Sequence, residues 1–309
     1  MSEPQLSVVL LTPDWYETVR KTVASLDAQT VRDRLELVVV APSADTLVEG
    51  EAQLSNFPHV RRVALGEITS TAKARAAGVR EATAPIVAFA EDHSFPEPGW
   101  AEALIRAHDD GWSAVGPNVV NANPDRMVGW ADAFLGQRKV DPERAQVVDD
   151  LPGRNSSYKR DLLLKYGPEL DELLEMETLL HWDLRAKGYE LYLEPAARTT
   201  HFNHDRLPGF VREHFYVGRL FAGQRARRWS LGRRLAYAGA APLIPVVRLS
   251  RILPEVRRSA RKYGLLPGVL PSLLLGLLVS ATGELLGYAA GVGSSPRRIV
   301  DVEFHRDHS

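Results

Sequence analysis

Three ionisable residues, Glu91, Asp92 and His93, stand in a row directly after a short apolar run, Ile86–Ala90. Five apolar residues followed by a proline-rich turn predict a buried strand. In open α/β sheets, ligands bind at the carboxyl ends of the strands. Carboxylate and imidazole groups together are ligands for divalent metals. The pattern therefore predicts a metal site, and the alternative is a solvated turn after an ordinary strand.

Alternating strands and helices must position these residues. Apolar runs predict strands at Leu6–Leu11, Leu35–Val40, Val60–Leu65 and Ile86–Ala90. Helical spacing predicts a helix from Asp14, as its N-cap, to about Gln29, and a second helix over Thr71–Ala82. Strands that alternate with helices through short links are typical of βαβ units and a mainly parallel sheet. The predicted fold class is therefore α/β.

The middle of the chain is less regular. The expected helices are Pro98–Ala107, Met127–Leu135 and Glu172–Lys187, the expected strands are Trp112–Val120, Tyr189–Leu193 and Arg198–His201, and the expected connecting loop is Arg138–Leu151. The segment Gly153–Ser157 contains only small and polar residues apart from Arg154. Such residues suit close approach of the backbone to a ligand, and a tight turn is the alternative.

Composition indicates an ordinary folded protein. The chain has 309 residues, of which 45% are hydrophobic and 25% charged, enough for one large domain or two modest ones. It has no cysteine, which excludes disulfides and thiolate metal sites. The N-terminus lacks a basic segment, so we expect no secretory signal peptide. The overall charge balance gives no indication of a nucleic-acid partner.

The C-terminal part of the chain has a different charge balance. From Arg212 to Lys262 there are 13 Lys/Arg residues against two acids, although the net charge of the whole chain is −1. Asymmetry of this kind indicates an anionic surface as a partner. We expect a first domain over residues 1–205 and a basic, apolar helical region over residues 206–309.

Two apolar segments, Leu235–Val247 and Leu265–Gly283, lie in this region, and the second has no charge over 19 residues. That length reaches the roughly 18 residues of a candidate transmembrane helix. Basic residues on both sides of the segments contradict the charge bias that a crossing should show. We therefore expect a hairpin or in-plane helices on the cytoplasmic face of the cell membrane, with a buried core or a dimer interface as the alternative.

Four segments between Leu6 and Arg228 resemble family 2 glycosyltransferases, whose fold is the GT-A nucleotide-sugar fold. In chain order they are SVVLLTPDWYETVRKTVASLDAQT, KARAAGVREATAPIVAFAEDH, METLLHWDLRAKGYELYLEP and RTTHFNH. They resemble the first strand and helix, the helix and strand that lead to the metal motif, the helix with the catalytic acid, and a segment with a common histidine. The resemblance implies a three-layer α/β/α fold with a mainly parallel sheet, followed by the helical, membrane-associating segment.

The resemblance also implies an activity. It is the inverting, metal-dependent transfer of a sugar from a nucleotide-diphosphate sugar to the hydroxyl of a lipid-linked or surface-glycan acceptor. Glu177 takes the position of the general base, with Glu175 and Asp171 as competing candidates. The expected ligands of Mn²⁺ or Mg²⁺, of which the imidazoles favour Mn²⁺, are Glu91, Asp92, His93 and His201.

The donor pocket is expected at the carboxyl ends of the first strands. The residues that the resemblance places there are Pro13, Asp14, Ser43, Arg75, Glu91 and Asp92. Weaker candidates are Lys73 for the donor pocket, and Trp100 and Trp182 as flanks of the sugar.

The chain departs from the family pattern at two of these places. Glu91, Asp92 and His93 replace the metal motif Asp-x-Asp, and the second strand ends in Ala-Pro-Ser at Ser43 instead of an aspartate that reads the nucleobase. These departures motivate an alternative from another class of protein. In that alternative, the chain is a catalytically weakened nucleotide-sugar-binding protein or a scaffold at the membrane.

Overall fold

Strands and helices alternate along the first part of the chain, as the spacing of the apolar runs predicts. The computed structural model describes residues 3–136 and 144–306. The first elements are β1 (Leu6–Leu11), α1 (Tyr16–Asp27), β2 (Leu35–Ala41), α2 (Glu51–Leu54), β3 (His59–Ala64), α3 (Thr71–Glu81) and β4 (Ile86–Ala90). Each predicted strand of this part agrees with an observed strand to within one residue at either end.

The second part of the chain begins with short elements around the end of β4. In order they are β5 (Ser94–Pro96), α4 (Trp100–Asp109), β6 (Ala114–Asn121), α5 (Met127–Gly136), β7 (Gln146–Val148), β8 (Ser157–Lys159), α6 (Arg160–Leu164), α7 (Leu170–Leu173), α8 (Glu177–Ala186) and β9 (Leu191–His201). The C-terminal elements are all helical: α9 (Leu207–Arg225), α10 (Leu231–Ala240), α11 (Ile244–Tyr263), α12 (Leu270–Ala290) and α13 (Ser295–Phe304).

Two compact units contain these elements. Unit 1 comprises Met1–Val120 and Asp141–His201, and unit 2 comprises Asn121–Val140 and Phe202–Ser309. The predicted boundary at residue 205 lies close to the start of the C-terminal part of unit 2. It does not account for α5, whose residues Trp130 and Phe134 belong to the apolar core of unit 2.

The sheet of unit 1 has nine strands, of which eight follow the order β3-β2-β1-β4-β8-β6-β9-β5, and β7 pairs with β9. The pairs β1–β2, β2–β3 and β1–β4 are parallel, as the βαβ pattern predicts. The pairs β4–β8, β6–β8, β5–β9 and β7–β9 are antiparallel, so the whole sheet is mixed. In the parallel part, the carboxyl ends of β2, β1 and β4 lie side by side at one edge.

Both faces of this sheet are covered by helices. Residues Leu6, Val8 and Leu10 of β1 belong to one apolar core together with residues of α1 and α4. Val9 points to the other face, where a Cβ added to Gly78 of α3 would lie 2.5 Å from Val9 Cγ1. Successive residues of a strand point to opposite faces, so β1 is buried between two helical layers. This is the predicted three-layer arrangement.

Some predicted boundaries are wrong. The N-cap of α1 is Trp15 and not the predicted Asp14, which lies one position earlier. The Asp14 Oδ1 accepts hydrogen bonds from the Trp15 amide and the Thr18 hydroxyl. The predicted helix Glu172–Lys187 is interrupted at Met176, whose extended backbone (φ −142°) separates α7 from α8.

Two further predictions concern strands. The predicted strands Tyr189–Leu193 and Arg198–His201 are a single strand, β9, because its antiparallel partners β5 and β7 extend the pairing along both halves. The predicted loop Arg138–Leu151 contains β7, and its residues 138–143 lie outside the described residues.

Unit 2 is held together by close helix packing. A Cβ added to Gly283 of α12 would lie 2.2 Å from the Phe215 carbonyl oxygen of α9, so the two backbones approach each other where only glycine fits. Phe134, Phe210 and Leu273 join α5, α9 and α12 in one apolar core. Among the described residues, α12 is the one helix long and apolar enough to cross a membrane, and half of its most apolar window is buried.

Candidate active site

Strand pairing brings the predicted metal ligands together. Glu91 and His93 follow β4, and His201 is the last residue of β9. In the antiparallel pair of β5 and β9, Ser94 lies opposite His201, which places His201 beside His93. The hydroxyl of Thr22 in α1 donates a hydrogen bond of 2.7 Å to the Glu91 carbonyl oxygen and fixes the backbone after β4.

These three side chains form a buried cluster, which we call the Glu91–His93–His201 cluster. Glu91 Oε2 lies 3.8 Å from His93 Nε2 and 3.5 Å from His201 Nε2. One ligand atom from each residue lies within 4.8 Å of the others. The imidazole rings meet edge to face, with their centroids 4.7 Å apart. Two imidazole nitrogens and a carboxylate that converge in this way are a suitable donor set for a divalent cation.

Asp92 lies behind this cluster. His93 Nδ1–H donates to Asp92 Oδ1 at 2.8 Å, which leaves His93 Nε2 directed to Glu91. A metal-ligating histidine normally has such a carboxylate or carbonyl partner, which fixes the tautomer and the orientation of the ring. Among the described residues, Glu91, His93 and His201 therefore converge as possible metal ligands. Asp92 lies where it can orient the His93 ring, rather than bind the metal itself.

Positive groups keep Glu91 ionised. Burial by itself raises the pKa of the Glu91 carboxyl, but the charges of His93, His201 and Arg154 and the hydrogen bond from His201 outweigh burial and hold this pKa well below its usual range. The Asn155 side-chain amide also donates to Glu91 Oε2 at 2.8 Å. A buried carboxylate that stays charged is what a cation site requires.

The residues present fit a divalent metal such as Mn²⁺ or Mg²⁺. The cluster supplies nitrogen and oxygen donors from the turn after β4 and from the end of β9, and no large structural change is needed to bring them together. Two imidazoles favour Mn²⁺ over Mg²⁺, because Mg²⁺ prefers oxygen ligands and water. Three protein ligands also leave coordination positions for oxygen atoms of a substrate.

A buried ion pair connects this cluster to the predicted base. Arg75 Nη1 of α3 donates to Glu177 Oε1 at 2.6 Å, and Arg75 Nη2 lies 3.8 Å from Glu91 Oε1. The guanidinium also lies over the Phe89 ring, 5.5 Å from its centroid. The Arg75 side chain is buried between these two carboxylates, so it is not a cation on an exposed helix surface.

Glu177 is positioned by the loop that carries Asn155. Glu177 is the first residue of α8, and a Cβ added to Gly153 would lie 2.8 Å from Glu177 Cβ. The segment Gly153–Ser157, which sequence analysis singled out for close approach to a ligand, thus contacts both Glu177 and Glu91. Leu174 and Leu180, both buried, provide part of the apolar surroundings that the base prediction anticipates.

The competing candidates for the base occupy different environments. Glu175 is paired with the Ser70 hydroxyl, and burial raises its pKa, although the hydrogen bond from Ser70 offsets part of the rise. Asp171 is partly exposed and accepts a hydrogen bond of 2.6 Å from Arg80. Among the three carboxylates, Glu177 is the one that accepts a hydrogen bond from Arg75, whose Nη2 lies 3.8 Å from Glu91 of the cluster.

Comparison with known proteins agrees with this geometry. The family model described as glycosyl transferase family 2 matches residues 7–167, slightly more than half of the chain. The chain belongs to glycosyl transferase family 2. The matched segment contains Arg75, Glu91 and Asn155 but ends before Glu177 and His201, so the positions of these two residues in the site rest on the structure.

A solved structure shares the fold of this family 2 glycosyltransferase. It is GalNAc-T7 with UDP, GalNAc and Mn²⁺, with a TM-score of 0.50 and 15% sequence identity over 64% of this chain. The match covers 43% of that structure, so the chain spans less than half of its length. The similarity supports the predicted GT-A fold. No curated protein sequence matches the chain.

The other predicted donor-pocket residues of this family 2 chain lie at the ends of β1 and β2. Pro13 and Asp14 follow β1, and Ser43 follows β2, whose carbonyl end lies next to that of β1. The Ser43 carbonyl accepts a hydrogen bond of 2.7 Å from Thr46. They lie at the same sheet edge as Glu91.

The remaining predicted candidates differ in exposure. Trp100 is buried in the apolar core between the sheet and α4, which is packing and not contact with a sugar. Trp182 and Lys73 are exposed.

Sequence analysis missed a buried chain of hydrogen bonds near Glu177, which we call the relay and which consists of Asp150, His181 and Tyr158. His181, one turn further along α8, donates from Nδ1 to Asp150, and the Tyr158 hydroxyl donates to His181 Nε2 at 2.7 Å. Burial, with the negative charges of Glu177 and Asp150, raises the pKa of Tyr158 well above its usual value, so its hydroxyl stays protonated. No spacing in the sequence signals this relay, because its members come from a loop, a strand and a helix.

Proposed function

We propose that this family 2 chain is a metal-dependent, inverting glycosyltransferase that uses a nucleotide-diphosphate sugar as donor. One observation carries the proposal: Arg75 lies 2.6 Å from the candidate base Glu177 and 3.8 Å from Glu91 of the cation cluster. The group that binds the leaving diphosphate and the group that takes the proton of the acceptor hydroxyl must both lie close to the anomeric carbon. Their connection through one buried guanidinium supports that arrangement.

The cation site serves the leaving group. Glu91, His93 and His201 would hold the cation, Asp92 orients His93, and Asn155 fixes Glu91. When bound, a divalent cation acts as a Lewis acid that neutralises the charge developing on a diphosphate. Burial of the cluster excludes water, which strengthens each electrostatic interaction inside it.

Glu177 serves the acceptor. Its Oε1 is held by Arg75, and Oε2 takes the proton of the acceptor hydroxyl. The acceptor oxygen forms a bond to the anomeric carbon, while the bond from that carbon to the diphosphate oxygen breaks and its electron pair leaves with the nucleotide. A single displacement from the face opposite the leaving group inverts the anomeric configuration.

The donor is proposed in more detail than the acceptor. The crystal structure of GalNAc-T7, which shares the fold, contains UDP, GalNAc and Mn²⁺, so a UDP-sugar with Mn²⁺ is the first donor to test. At the end of β2, Ser43 stands where an aspartate would read the base, and we expect hydroxyl or backbone groups to replace that contact. The proposed acceptor is a lipid-linked or surface glycan at the cytoplasmic face of the cell membrane.

A second candidate function is nucleotide-sugar binding without efficient transfer. The observation in its favour is the short Arg75–Glu177 ion pair, because it occupies a carboxylate oxygen that would otherwise be open to an acceptor hydroxyl. A protein of this kind would bind a UDP-sugar with Mn²⁺ and turn it over no faster than a variant without the carboxylate.

Donor turnover by the Glu177→Gln variant separates the two functions. With UDP-sugars and Mn²⁺, we expect release of UDP by the wild type and a loss of about 100- to 10,000-fold in kcat in Glu177→Gln. Glu190→Gln, at an exposed carboxylate just after the same helix, is the matched control and should keep wild-type turnover. Donor binding by calorimetry with equal, negligible turnover in both wild type and Glu177→Gln would establish the binding function instead.

A further inference from the structure

Exposed apolar side chains concentrate on unit 2. Of the twenty large hydrophobic residues exposed in the described part of the chain, twelve lie between Leu231 and Leu286. Single exposed apolar residues are normal on a protein surface. A cluster of them on consecutive elements marks an interaction site.

The helix α10 and the start of α11 present most of this apolar surface. In α10, Leu231 is 66% exposed and Leu235 is 54% exposed, and Ala238 is the one buried residue of the helix. Beyond α10, Leu243 and Val246 are 64% and 68% exposed. When the large apolar residues of a helix are exposed, no other element of its unit packs against that face of the helix.

The helix α12 carries a further stripe of exposed, uncharged residues. Its exposed residues Pro271, Leu274, Leu278, Thr282 and Leu285 recur at intervals of three or four, so they lie on one face of the helix. This stripe has no charge and extends for about 20 Å at the rise of an α-helix. Both α10 and α11 pack against α12, so the three helices belong to one assembly.

Basic residues accompany the apolar ones. After its apolar start, α11 exposes Arg251, Arg257 and Arg261, of which Arg257 and Arg261 lie one turn apart. From Arg225 to Lys262 the chain has eleven Lys/Arg residues and one acid. We call the exposed residues of α10, α11 and α12 together the basic–apolar face.

We infer that the basic–apolar face docks on the surface of an anionic bilayer and that its helices lie in the membrane plane. Exposed leucines and valines enter the boundary between head groups and acyl chains, and arginines contact anionic head groups. A second copy of this chain fits this face poorly, because it would bring arginines against arginines. The inference concerns unit 2 alone and does not depend on glycosyl transfer.

Charged partners on the inner side of α12 argue against a crossing helix. Arg248 of α11 donates to Ser280 Oγ at 2.5 Å and lies 3.6 Å from Glu284. Arg234 of α10 donates to the Tyr288 carbonyl at 2.9 Å, and Arg219 of α9 donates to the Gly291 carbonyl at 3.1 Å. Charged residues at the depth of the hydrocarbon are costly. The helix therefore stays with its charged neighbours and offers the membrane its outer stripe alone.

Flotation of the purified full chain with lipid vesicles tests the inference. We expect binding to vesicles of phosphatidylcholine mixed with phosphatidylglycerol, little binding to phosphatidylcholine alone, and release by alkaline carbonate, as for a protein that does not span. The triple variant Arg251→Gln/Arg257→Gln/Arg261→Gln should partition on the order of 100-fold more weakly.

Apolar variants and matched controls complete the test. Leu243→Ser/Val246→Ser and Leu274→Ser/Leu278→Ser should each weaken binding at least 10-fold, by loss of buried apolar area. Val48→Ser/Leu65→Ser and Arg20→Gln, at exposed positions of unit 1, should bind as the wild type. Circular dichroism checks that every variant is folded.

Four results would overturn the inference. They are equal binding to neutral and anionic vesicles, resistance to carbonate, unchanged binding of the variants of the basic–apolar face, and no vesicle binding by the wild type. In the last case, a dimer in analytical ultracentrifugation that the apolar variants dissociate would assign this face to self-association. Because flotation measures no turnover, none of these results bears on the catalytic proposal.

Discussion

Glu91 is the residue on which the electrostatics of the site depend. It is buried, it accepts a hydrogen bond from Asn155, and its carboxylate lies within 4 Å of His93 and His201. Removal of this charge would leave the two imidazoles facing each other without the carboxylate that lies between their Nε2 atoms. The low pKa of Glu91 and the proximity of the imidazoles have the same cause, because the pairing of β5 with β9 brings His201 beside the turn that carries Glu91 and His93.

Arg75 is expected to contribute to stability as well as to the site. In Arg75→Gln, the buried carboxylate of Glu177 loses its ion-pair partner, and we expect the free energy of unfolding to fall by roughly 3–5 kcal/mol. Urea denaturation at neutral pH measures this change. The matched control is Arg80→Gln, which breaks the partly exposed pair with Asp171 and should cost at most about 1 kcal/mol. Equal losses in the two variants would contradict the structural importance of the buried pair.

At the residue scale, the sequence predicts which residues belong to the site better than it predicts which residues contact one another. The types of Glu91, His93 and His201 and the turn after β4 are sufficient to predict a cation site. The same sequence cannot show that Arg75 bonds to Glu177, because those residues are 102 positions apart and meet through the packing of α3 and α8. Arg75 was expected to contact phosphate, and the structure places it between carboxylates.

At the element scale, α4 and β8 are joined through a buried histidine. His108 Nδ1–H of α4 donates to the Trp112 carbonyl at 2.8 Å, and the Ser157 hydroxyl of β8 lies 2.9 Å from His108 Nε2. Burial lowers the pKa of His108 to about 4; the hydrogen bond to Trp112 opposes this shift and the charge of Lys159 adds to it. The folded chain therefore keeps this imidazole neutral where an unfolded chain would protonate it.

This shift predicts a loss of stability in mild acid. Between the unfolded pKa of about 6.5 and the folded value, the unfolded chain binds a proton that the folded chain does not, so stability falls as pH falls. We expect His108 to contribute a decrease on the order of 3 kcal/mol between pH 7 and pH 4. Urea denaturation of wild type and His108→Gln across this range measures it. The variant should lose less stability over the same interval, and parallel pH profiles would show that His108 does not titrate in this way.

The element boundaries show where sequence periodicity is insufficient. Apolar residues continue at helical spacing from Leu170 through Leu180, so the sequence predicts one helix. The break at Met176 accompanies the hydrogen bond between Glu175 and Ser70, a contact 105 residues apart in sequence. The break matters for function, because it makes Glu177 the first residue of α8 and turns its side chain to Arg75.

At the scale of the whole molecule, composition locates the second unit but not all of its parts. The basic and apolar C-terminal residues separate it from unit 1, and the alternation of strands and helices predicts the layers of unit 1. The helix α5 belongs to unit 2 through Trp130 and Phe134, although it lies between strands of unit 1 in sequence. Nothing local marks that assignment, because an apolar helix suits either core.

The proposed location at the membrane also depends on the molecule as a whole. We propose that the basic–apolar face binds anionic membranes, and a lipid-linked acceptor would be found at that surface. If the face and the active site both operate as proposed, transfer to a lipid-linked acceptor in anionic vesicles should exceed transfer to the same acceptor in neutral vesicles.

Binding of Mn²⁺ in the presence of UDP tests the central proposal most directly. Electron paramagnetic resonance of free Mn²⁺ gives the affinity of the purified chain, and we expect a single site that UDP strengthens. Glu91→Gln and His201→Ala should abolish this site, and Asp92→Ala, which removes the partner of His93, should weaken it about 10- to 100-fold. Glu97→Gln, at a partly exposed carboxylate paired with Arg198, should bind as the wild type. Mn²⁺ binding of unchanged affinity in Glu91→Gln and His201→Ala would contradict the account.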